Sequence, residues 1–351
     1  MRRDRKLLFI IKQRYVYGEK TKAYGLYNSC DFVARKLNEM GIETKVVQVK
    51  DNNDIDREVS KFKPTDCFIE ALWVVPEKFN TLSKLHPSVT WHIRLHSKIP
   101  FLATEGIAFG WMNEYVQLRK HGVKILLSAN NQELYDDLKE MYPGCVTYTP
   151  NVYFPDEKKN EKTIYHKDEK EFNIGLFGAL RPLKNHLQQA IWADKFSKVI
   201  NRPVAVHINA TEHEKTNSNT SSILTNIKNV FNNSSNRLVE HQWYPHSDFL
   251  QLVKQMDLGL QVSFSETFNI TAADFVYMNV PLVVSNEIKF VNKLCRLKTS
   301  DTENALNVMK LAYEYGNYGL NMTNKYLLDR TNKNGLTVWK NLFGKELCMN
   351  M

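Results

Sequence analysis

The stretch SETFNITAADFVYMNVPLVVS, residues 265–285, decides how the rest of the chain is interpreted. It holds two carboxylates, Glu266 and Asp274, with seven residues between them. A short polar turn follows the first carboxylate, helix-forming residues carry the second, and a small apolar strand begins at Pro281. The pattern predicts a turn, a helix and a buried strand within an α/β domain.

The predicted start of this helix is suited to an anion. Asn269, Ile270 and Thr271 lie in the turn and the first helical turn, where backbone N–H groups lack intrahelical partners. Those groups and the helix dipole favour a phosphate, so a diphosphate could sit there with Glu266 and Asp274 on either side. The alternative is an ordinary capped helix that leads into a buried strand.

A second polar group follows a predicted strand in GLFGALRPLKN, residues 175–185. The strand ends at Phe177, Gly178 permits a tight turn, and the cations Arg181 and Lys184 come next. In open α/β sheets ligands bind at this carboxyl edge of the strands. Two cations there would suit a diphosphate, whereas the simpler alternative is two solvated loop side chains.

These segments, joined by RLVEHQWYPHSDFLQLVKQMDLGLQVSFSE, resemble the donor half of retaining nucleotide-sugar glycosyltransferases of the GT-B type. The motif of that family is Glu, seven residues, Glu, preceded by a Gly-bearing loop whose Arg and Lys hold the donor pyrophosphate. The resemblance covers residues 172–285. It departs from the family at Asp274, where a Glu is usual, and in the first loop, which lacks the family's Gly-Gly pair.

The resemblance implies an α/β chain of GT-B type, with two Rossmann-like domains and an interdomain cleft. It implies a nucleotide-sugar co-substrate, UDP-type, with no cofactor. No dedicated metal-ligand cluster is visible in the sequence, so no metal requirement is expected. Glu266 would bind sugar hydroxyls, Asp274 the ribose hydroxyls, and the leaving phosphate would accept the acceptor's proton with retention of configuration. The implied donor-binding residues are Gly178, Arg181, Lys184, Asn269, Ile270, Thr271 and Asp274.

The first half of the chain supplies further candidates in HIRLHSKIPFLATEG, which contains the end of a predicted strand. Arg94 and His96 lie at the carboxyl edge of that strand. Family members often place a His here against the transferred sugar, so the resemblance implies this role for His96, with Arg94 beside it. A packed or solvated His is the alternative. The predicted strand that precedes this one along the chain is expected to run from Asp66 to Val75.

Strands alternate with helices in both halves of the 351-residue chain, which predicts parallel sheets in two domains. The charged, proline-bearing segment PNVYFPDEKKNEKTIYHKDEK separates the two series. We expect an acceptor domain over residues 1–165, a donor domain over 166–325, and a helical tail over 326–351.

The composition of the chain indicates which binding partners and which cellular compartment are expected. The net charge is +9, which favours anionic partners. There is no run of about 18 apolar residues, so no membrane span is expected. The five scattered cysteines form no CxxC pair, which argues against disulfides and a zinc site. The expected location is the cytoplasm, or the host cytoplasm for a viral protein.

The loop RYVYGEKTKAYG, residues 14–25, interleaves cations with tyrosines, a composition that suits phosphate contacts and base stacking. Arg14, Tyr17, Lys20 and Lys22 are the candidate acceptor-binding residues. Some bacteriophages glycosylate hydroxymethylated bases of their own DNA with GT-B enzymes, and such duplex DNA is the hypothesised acceptor here. A solvated loop is the simpler interpretation.

Two other functional classes stay open at this point. The chain could glycosylate a surface polysaccharide, a lipid or a protein, since charge alone does not separate these acceptors. It could also be a non-catalytic nucleic-acid- or sugar-binding protein on a GT-B scaffold.

Overall fold

The computed structural model describes residues 5–16, 19–21, 24–156, 165–210 and 218–344; at 14–16, 19–21, 24 and 218–220 it describes the backbone alone. The chain forms two compact units. Unit 1 comprises Met1–Pro155 and Asn332–Met351, and unit 2 comprises Asp156–Thr331.

Unit 1 is built on a parallel six-stranded sheet. Its strands are β1 (Lys6–Lys12), β4 (Glu43–Val49), β5 (Asp66–Glu70), β6 (Thr90–Leu95), β7 (Ile125–Ala129) and β8 (Val146–Tyr148). They are arranged in the order β4-β1-β5-β6-β7-β8. Strand β1 lies inside the sheet, and its buried run of five apolar residues explains this position. Strands β2 (Arg14–Val16) and β3 (Glu19–Thr21) pair separately as an antiparallel hairpin.

Helices connect these strands and bury the sheet. They span Tyr24–Glu39, Asp54–Phe62, Lys78–Leu85, Ile99–Leu102, Ala108–Lys120 and Gln132–Met141. The end of the long helix Asn321–Phe343 also belongs to unit 1. Its Trp339 is fully buried, donates from Nε1 to the Pro150 carbonyl at 2.8 Å, and packs against Phe9 and Phe68 of the sheet.

The strand expected over Asp66–Val75 is shorter in the structure, where β5 ends at Glu70. Ala71 has a φ of 71°, in the left-handed region that non-glycine residues seldom adopt. Its N–H donates to the Arg94 carbonyl at 2.9 Å, which holds the turn in place. The apolar run therefore continues past the point at which the chain leaves the sheet, and Glu70 stands at the carboxyl end of its strand.

Unit 2 contains a second parallel six-stranded sheet. Its strands are β9 (Phe172–Leu176), β10 (Val204–Asn209), β11 (Arg237–His241), β12 (Leu258–Gln261), β13 (Leu282–Ser285) and β14 (Arg296–Leu297). They are arranged in the order β11-β10-β9-β12-β13-β14. The helices that flank it span His186–Ile200, Ser218–Phe231, His246–Lys254, Ile270–Tyr277 and Thr302–Tyr315. Short 3₁₀ helices occur at Pro182–Lys184 and Lys293–Cys295, and a π segment at Gly316–Leu320 leads into Asn321–Phe343.

The chain reverses direction across this sheet between β9 and β12. Counted within unit 2, the order is third, second, first, fourth, fifth and sixth, so the first and fourth strands are neighbours. At such a switch point the loops leave the carboxyl edge in opposite directions and open a crevice for ligands. The loops after β9 and β12 are the segments that carry the predicted donor-binding residues.

The helix Ile270–Tyr277 packs closely over this switch point. Gly175 of β9 and Gly259 of β12 are paired in register, and the ring of Phe275 covers both. A Cβ atom at Gly175 would lie 2.8 Å from that ring, and one at Gly259 would lie 2.7 Å from it. The two glycines thus let the helix approach the strands closely.

In the parts of the chain that the structure describes, no helix is long and apolar enough to span a bilayer.

Candidate active site

Glu266 and Lys184 meet at the carboxyl edge of the unit 2 sheet. Glu266 lies in the loop after β12 with only 8% of its side chain exposed. Lys184 ends the 3₁₀ helix after β9, and its Nζ forms an ion pair with Glu266 Oε1. The structure therefore brings these two predicted residues together as a pair, with the lysine 27% exposed.

Asn269 connects this ion pair to the helix start. Its Nδ2 donates to Glu266 Oε1 and to Gln261 Oε1, both at 3.0 Å. Its Oδ1 accepts from the Ala272 N–H at 2.8 Å and so caps the helix. A φ of 66° places Asn269 in the left-handed region, which Asn tolerates better than most residues.

Two of the first four backbone N–H groups of this helix donate to Asn269. The Ala272 N–H is used by the cap, and the Ala273 N–H donates to the Asn269 carbonyl at 3.3 Å. The N–H groups of Ile270 and Thr271 are the first two in the helix, where no intrahelical acceptor exists. Together with the helix dipole, they give this end of the helix a partial positive charge.

The turn after β9 lies beside that helix start. Gly178 has a φ of 117°, which only glycine adopts readily, and its N–H donates to Asn209 Oδ1 at 3.0 Å. A Cβ atom at Gly178 would lie 3.9 Å from Thr271 Oγ1, so the turn and the helix face each other at close range. Arg181 follows with an exposed side chain just before the 3₁₀ helix.

Positive charge at this edge comes from Lys184 and Arg181 and not from the neighbouring histidine. His186 is buried, and burial, reinforced by the charge of Lys184, lowers its pKa to about 3. The imidazole is therefore neutral at physiological pH.

Asp274 is the predicted residue whose surroundings differ most from expectation. Its carboxylate is 2% exposed, and Oδ1 lies 2.7 Å from His246 Nε2. His246 begins the helix His246–Lys254, after the loop that follows β11. The sequence did not single out His246, Gln261 or Asn209. A usable signal for the last two is that each is a polar residue at the carboxyl end of a buried strand.

In unit 1, Arg94 is completely buried and fully engaged with other groups. Its Nη1 lies 3.3 Å from Glu70 Oε2, and its Nη2 donates to Asn151 Oδ1 at 2.7 Å and to the Thr149 carbonyl at 3.0 Å. Burial alone raises the pKa of Glu70, but Arg94 and His96 outweigh it, and the pKa lies below its usual value. Glu70, which the sequence did not single out, is thus a buried carboxylate held in its ionised form.

His96 forms a hydrogen bond with the same carboxylate, that of Glu70. Its Nε2 is 2.5 Å from Glu70 Oε2, and its Nδ1 accepts from Asn130 Nδ2 at 3.1 Å. Because ionised Glu70 only accepts hydrogen bonds, Nε2 carries the proton in this arrangement. Burial lowers the pKa of His96 despite the neighbouring carboxylate, so the ring is neutral with a defined tautomer.

The candidate acceptor-binding residues fall in or beside the hairpin of β2 and β3. Arg14 pairs with Thr21, and Lys20 pairs with Tyr15. The side chains of Arg14 and Lys20 lie outside the described part of the structure, as do Tyr17 and Lys22 entirely. Their proposed role stays a prediction.

No protein-family model matches the chain, and no curated protein matches it by sequence. Solved structures do match. The UDP-forming α,α-trehalose-phosphate synthase from Burkholderia xenovorans, in complex with glucose-6-phosphate, superimposes with a TM-score of 0.68 at 10% identity, over 96% of this chain and 98% of that one. An E. coli trehalose-6-phosphate protein bound with UDP-2-fluoro glucose gives 0.67 at 10% identity over 96% and 98%.

A TarM variant from S. aureus, in complex with Fondaparinux, α-GlcNAc-glycerol and UDP, gives a TM-score of 0.58 at 13% identity. The match covers 83% of this chain and 58% of that one. At these identities the likeness establishes the fold. The predicted fold class is confirmed: the chain has the GT-B fold, with two Rossmann-like α/β units.

Proposed function

We propose that this protein is a glycosyltransferase that moves a sugar from a UDP-type nucleotide sugar to an acceptor hydroxyl. The observation that carries the proposal is the ion pair of Lys184 and Glu266 beside the start of the helix Ile270–Tyr277. This group stands at the switch point of a parallel sheet, where α/β proteins bind ligands. The structural neighbours are named for UDP-forming synthesis or were solved with UDP or a UDP-sugar, which supports the choice of donor.

In the proposed complex, the donor diphosphate lies over the helix start, with Lys184 and Arg181 neutralising its charge. Lys184 then shares its ammonium group between the phosphate and Glu266. Glu266, oriented by Lys184 and by Asn269, accepts hydrogen bonds from hydroxyls of the sugar. Asp274 lies toward the nucleoside, one helical turn beyond Thr271.

The proposed step retains the configuration at the anomeric carbon. The bond from C1 of the sugar to the diphosphate oxygen breaks, and the acceptor oxygen bonds to C1 on the same face. The acceptor's proton passes to the leaving phosphate, so the step needs no other base. His96 is proposed to contact the transferred sugar, and Arg94, being buried, acts as a positioning residue through Glu70.

Donor binding tests the proposal directly. We expect Arg181→Ala and Lys184→Ala each to weaken UDP binding by roughly 10- to 100-fold, since each removes a charged donor to a phosphate. Isothermal titration with UDP measures the change. Lys310→Ala is the matched control, because its side chain is 52% exposed on the helix Thr302–Tyr315, where it pairs with Glu314 of the same helix. Unchanged affinity in both site variants would contradict the proposed diphosphate site.

Turnover separates an enzyme from a binding protein on the same scaffold. Release of UDP from UDP-sugars, followed with and without candidate acceptors, is expected from the enzyme alone. Tight UDP binding with no hydrolysis and no transfer would favour the non-catalytic alternative.

For the acceptor, we propose duplex DNA with hydroxymethylated bases, supported by the net charge of +9 and by the cation- and tyrosine-rich hairpin segment. Replacing Lys12, Arg14, Lys20 and Lys22 by alanine should flatten the salt dependence of DNA binding. The slope should change by roughly 0.9 for each phosphate that the variant no longer neutralises. UDP affinity should stay the same, because the proposed donor site belongs to unit 2.

The control for this experiment removes the same number of charges elsewhere in unit 1. Lys50, Lys61, Lys120 and Lys139 are all exposed and lie outside the hairpin. Their joint replacement should leave most of the salt slope intact. Transfer of labelled sugar to a glycan, lipid or protein, with none to modified DNA, would replace this acceptor with one of the other classes.

A further inference from the structure

The contact between His246 and Asp274 changes which side chain can reach a nucleoside in unit 2. The two side chains meet at 2.7 Å, between His246 Nε2 and Asp274 Oδ1. Asp274 is 2% exposed, whereas His246 is 15% exposed. Of the two members of the pair, the imidazole is therefore the one that reaches the surface.

The residue types also favour the imidazole of His246 over the carboxylate of Asp274 as the group that contacts a ligand. Position 274 carries Asp, whose side chain is one methylene shorter than that of a Glu. Its carboxylate accepts from His246, and an ionised carboxylate only accepts. Nε2 of His246 therefore carries the ring proton, and Nδ1 has acceptor character. A ribose hydroxyl can donate to such a nitrogen.

The position of the pair fits a ribose. Asp274 follows Thr271 by three residues, so the two lie on the same face of the helix about one turn, roughly 5 Å, apart. Thr271 is at the helix start proposed to hold the diphosphate, and in a nucleoside diphosphate the ribose is bonded directly to the first phosphate. Trp243 and Tyr244, both partly buried, lie in the loop that leads into the helix of His246, and aromatic side chains of this kind can stack on a base.

We infer that His246, held by Asp274, is the side chain that contacts the ribose hydroxyls of the donor, with Asp274 as its positioning residue. The inference rests on the proposed function, because it assumes a nucleoside diphosphate at the helix start. It assigns to the first residue of the helix His246–Lys254 a contact that the sequence pattern assigns to the second carboxylate.

The experiment compares three ligands: UDP, 2′-deoxy-UDP and inorganic pyrophosphate. Wild-type protein should bind UDP more tightly than 2′-deoxy-UDP. His246→Ala should weaken UDP binding by about tenfold, the usual effect of losing one hydrogen bond to a ligand, and should abolish the preference for the 2′-hydroxyl. Pyrophosphate affinity should not change.

Asp274→Asn should reduce the same preference, and the double variant should bind no more weakly than His246→Ala alone, because the aspartate acts through the histidine. His121→Ala, an exposed histidine in unit 1, is the control for a generic His replacement. His246→Gln, which keeps a polar side chain, serves if the alanine variant does not fold, as judged by its melting temperature.

The outcomes distinguish a failure of the inference about His246 from a failure of the proposed function. If wild-type protein discriminates UDP from 2′-deoxy-UDP and His246→Ala discriminates equally well, the inference is wrong while the proposed function stands. If Asp274→Asn loses the preference for the 2′-hydroxyl while His246→Ala keeps it, the carboxylate itself contacts the ribose and the inference is again wrong. If wild-type protein binds no nucleoside diphosphate, the proposed function fails.

Discussion

Replacement of Glu70 by alanine is expected to lower the free energy of unfolding by about 3–5 kcal/mol, the usual cost of leaving one member of a buried ion pair without its partner. Glu70 and Arg94 are both 0% exposed, and His96 donates to the same carboxylate. The variant leaves the guanidinium charge in the core with only neutral acceptors. Urea denaturation of wild type and variant measures the difference.

The matched control is Glu43→Ala. Glu43 also lies on a strand of unit 1 and pairs with Lys6 at 2.9 Å, but its side chain is 59% exposed. An exposed pair contributes less than about 1 kcal/mol. Glu70→Gln keeps the side-chain volume without the charge, so most of the loss should remain. A loss below about 1 kcal/mol for Glu70→Ala, no more than an exposed pair contributes, would show that the buried cluster does not depend on this carboxylate.

The same cluster gives a pH dependence whose sign follows from the pKa of Glu70. That pKa is below its usual value in the folded protein, because Arg94 and His96 outweigh the cost of burial. The stabilising contribution is therefore complete well above the unfolded value of about 4.3 and is lost as the pH falls through the folded value. The destabilisation by Glu70→Ala should shrink correspondingly in acid.

Glu266→Ala is expected to lower the rate of sugar transfer by about 10²–10³-fold, the range seen when a preorganised polar group is removed from an active site. The reason is its place beside the helix start, where Lys184 and Asn269 orient its carboxylate. The fold should persist, since Lys184 is 27% exposed and can be solvated when the carboxylate is absent. Initial rates of UDP release, with melting temperatures for both proteins, give the comparison.

Two further variants sharpen this result. Glu240→Ala removes a partly exposed glutamate of unit 2 that pairs with Lys228, and it should leave transfer unchanged. Combining Glu266→Ala with Lys184→Ala tests the coupling of the pair, and the losses should be smaller than additive because the two groups are in contact and are proposed to act on one substrate. Near-normal transfer by folded Glu266→Ala protein would remove Glu266 from the site.

The sequence was informative wherever a residue's role depends on its position along a strand. Lys184 was expected in the loop after one strand and Glu266 just before a helix start, both beside the donor diphosphate, and the structure places the two side chains in contact. Alternation of strands and helices likewise sufficed for the fold class. Both inferences use local patterns, which the sequence displays directly.

Features set by distant contacts were not accessible in the same way. The apolar run after Glu70 reads as a continuing strand, and the turn at Ala71 depends on a hydrogen bond to Arg94 in the next strand. The contact of His246 with Asp274 joins residues 28 positions apart on two helices. Neither periodicity nor spacing encodes such pairs, since they arise only when the elements pack.

The helix Asn321–Phe343 makes the first unit discontinuous along the chain, with consequences for its order of assembly. Residues 5–155 supply the whole parallel sheet, but Trp339 and Phe343 cover Phe68 on one face of it. During synthesis this part of the first core stays uncovered until the second unit has been translated. The second unit is continuous and can fold as soon as it emerges, so the half of the chain made first is the half completed last.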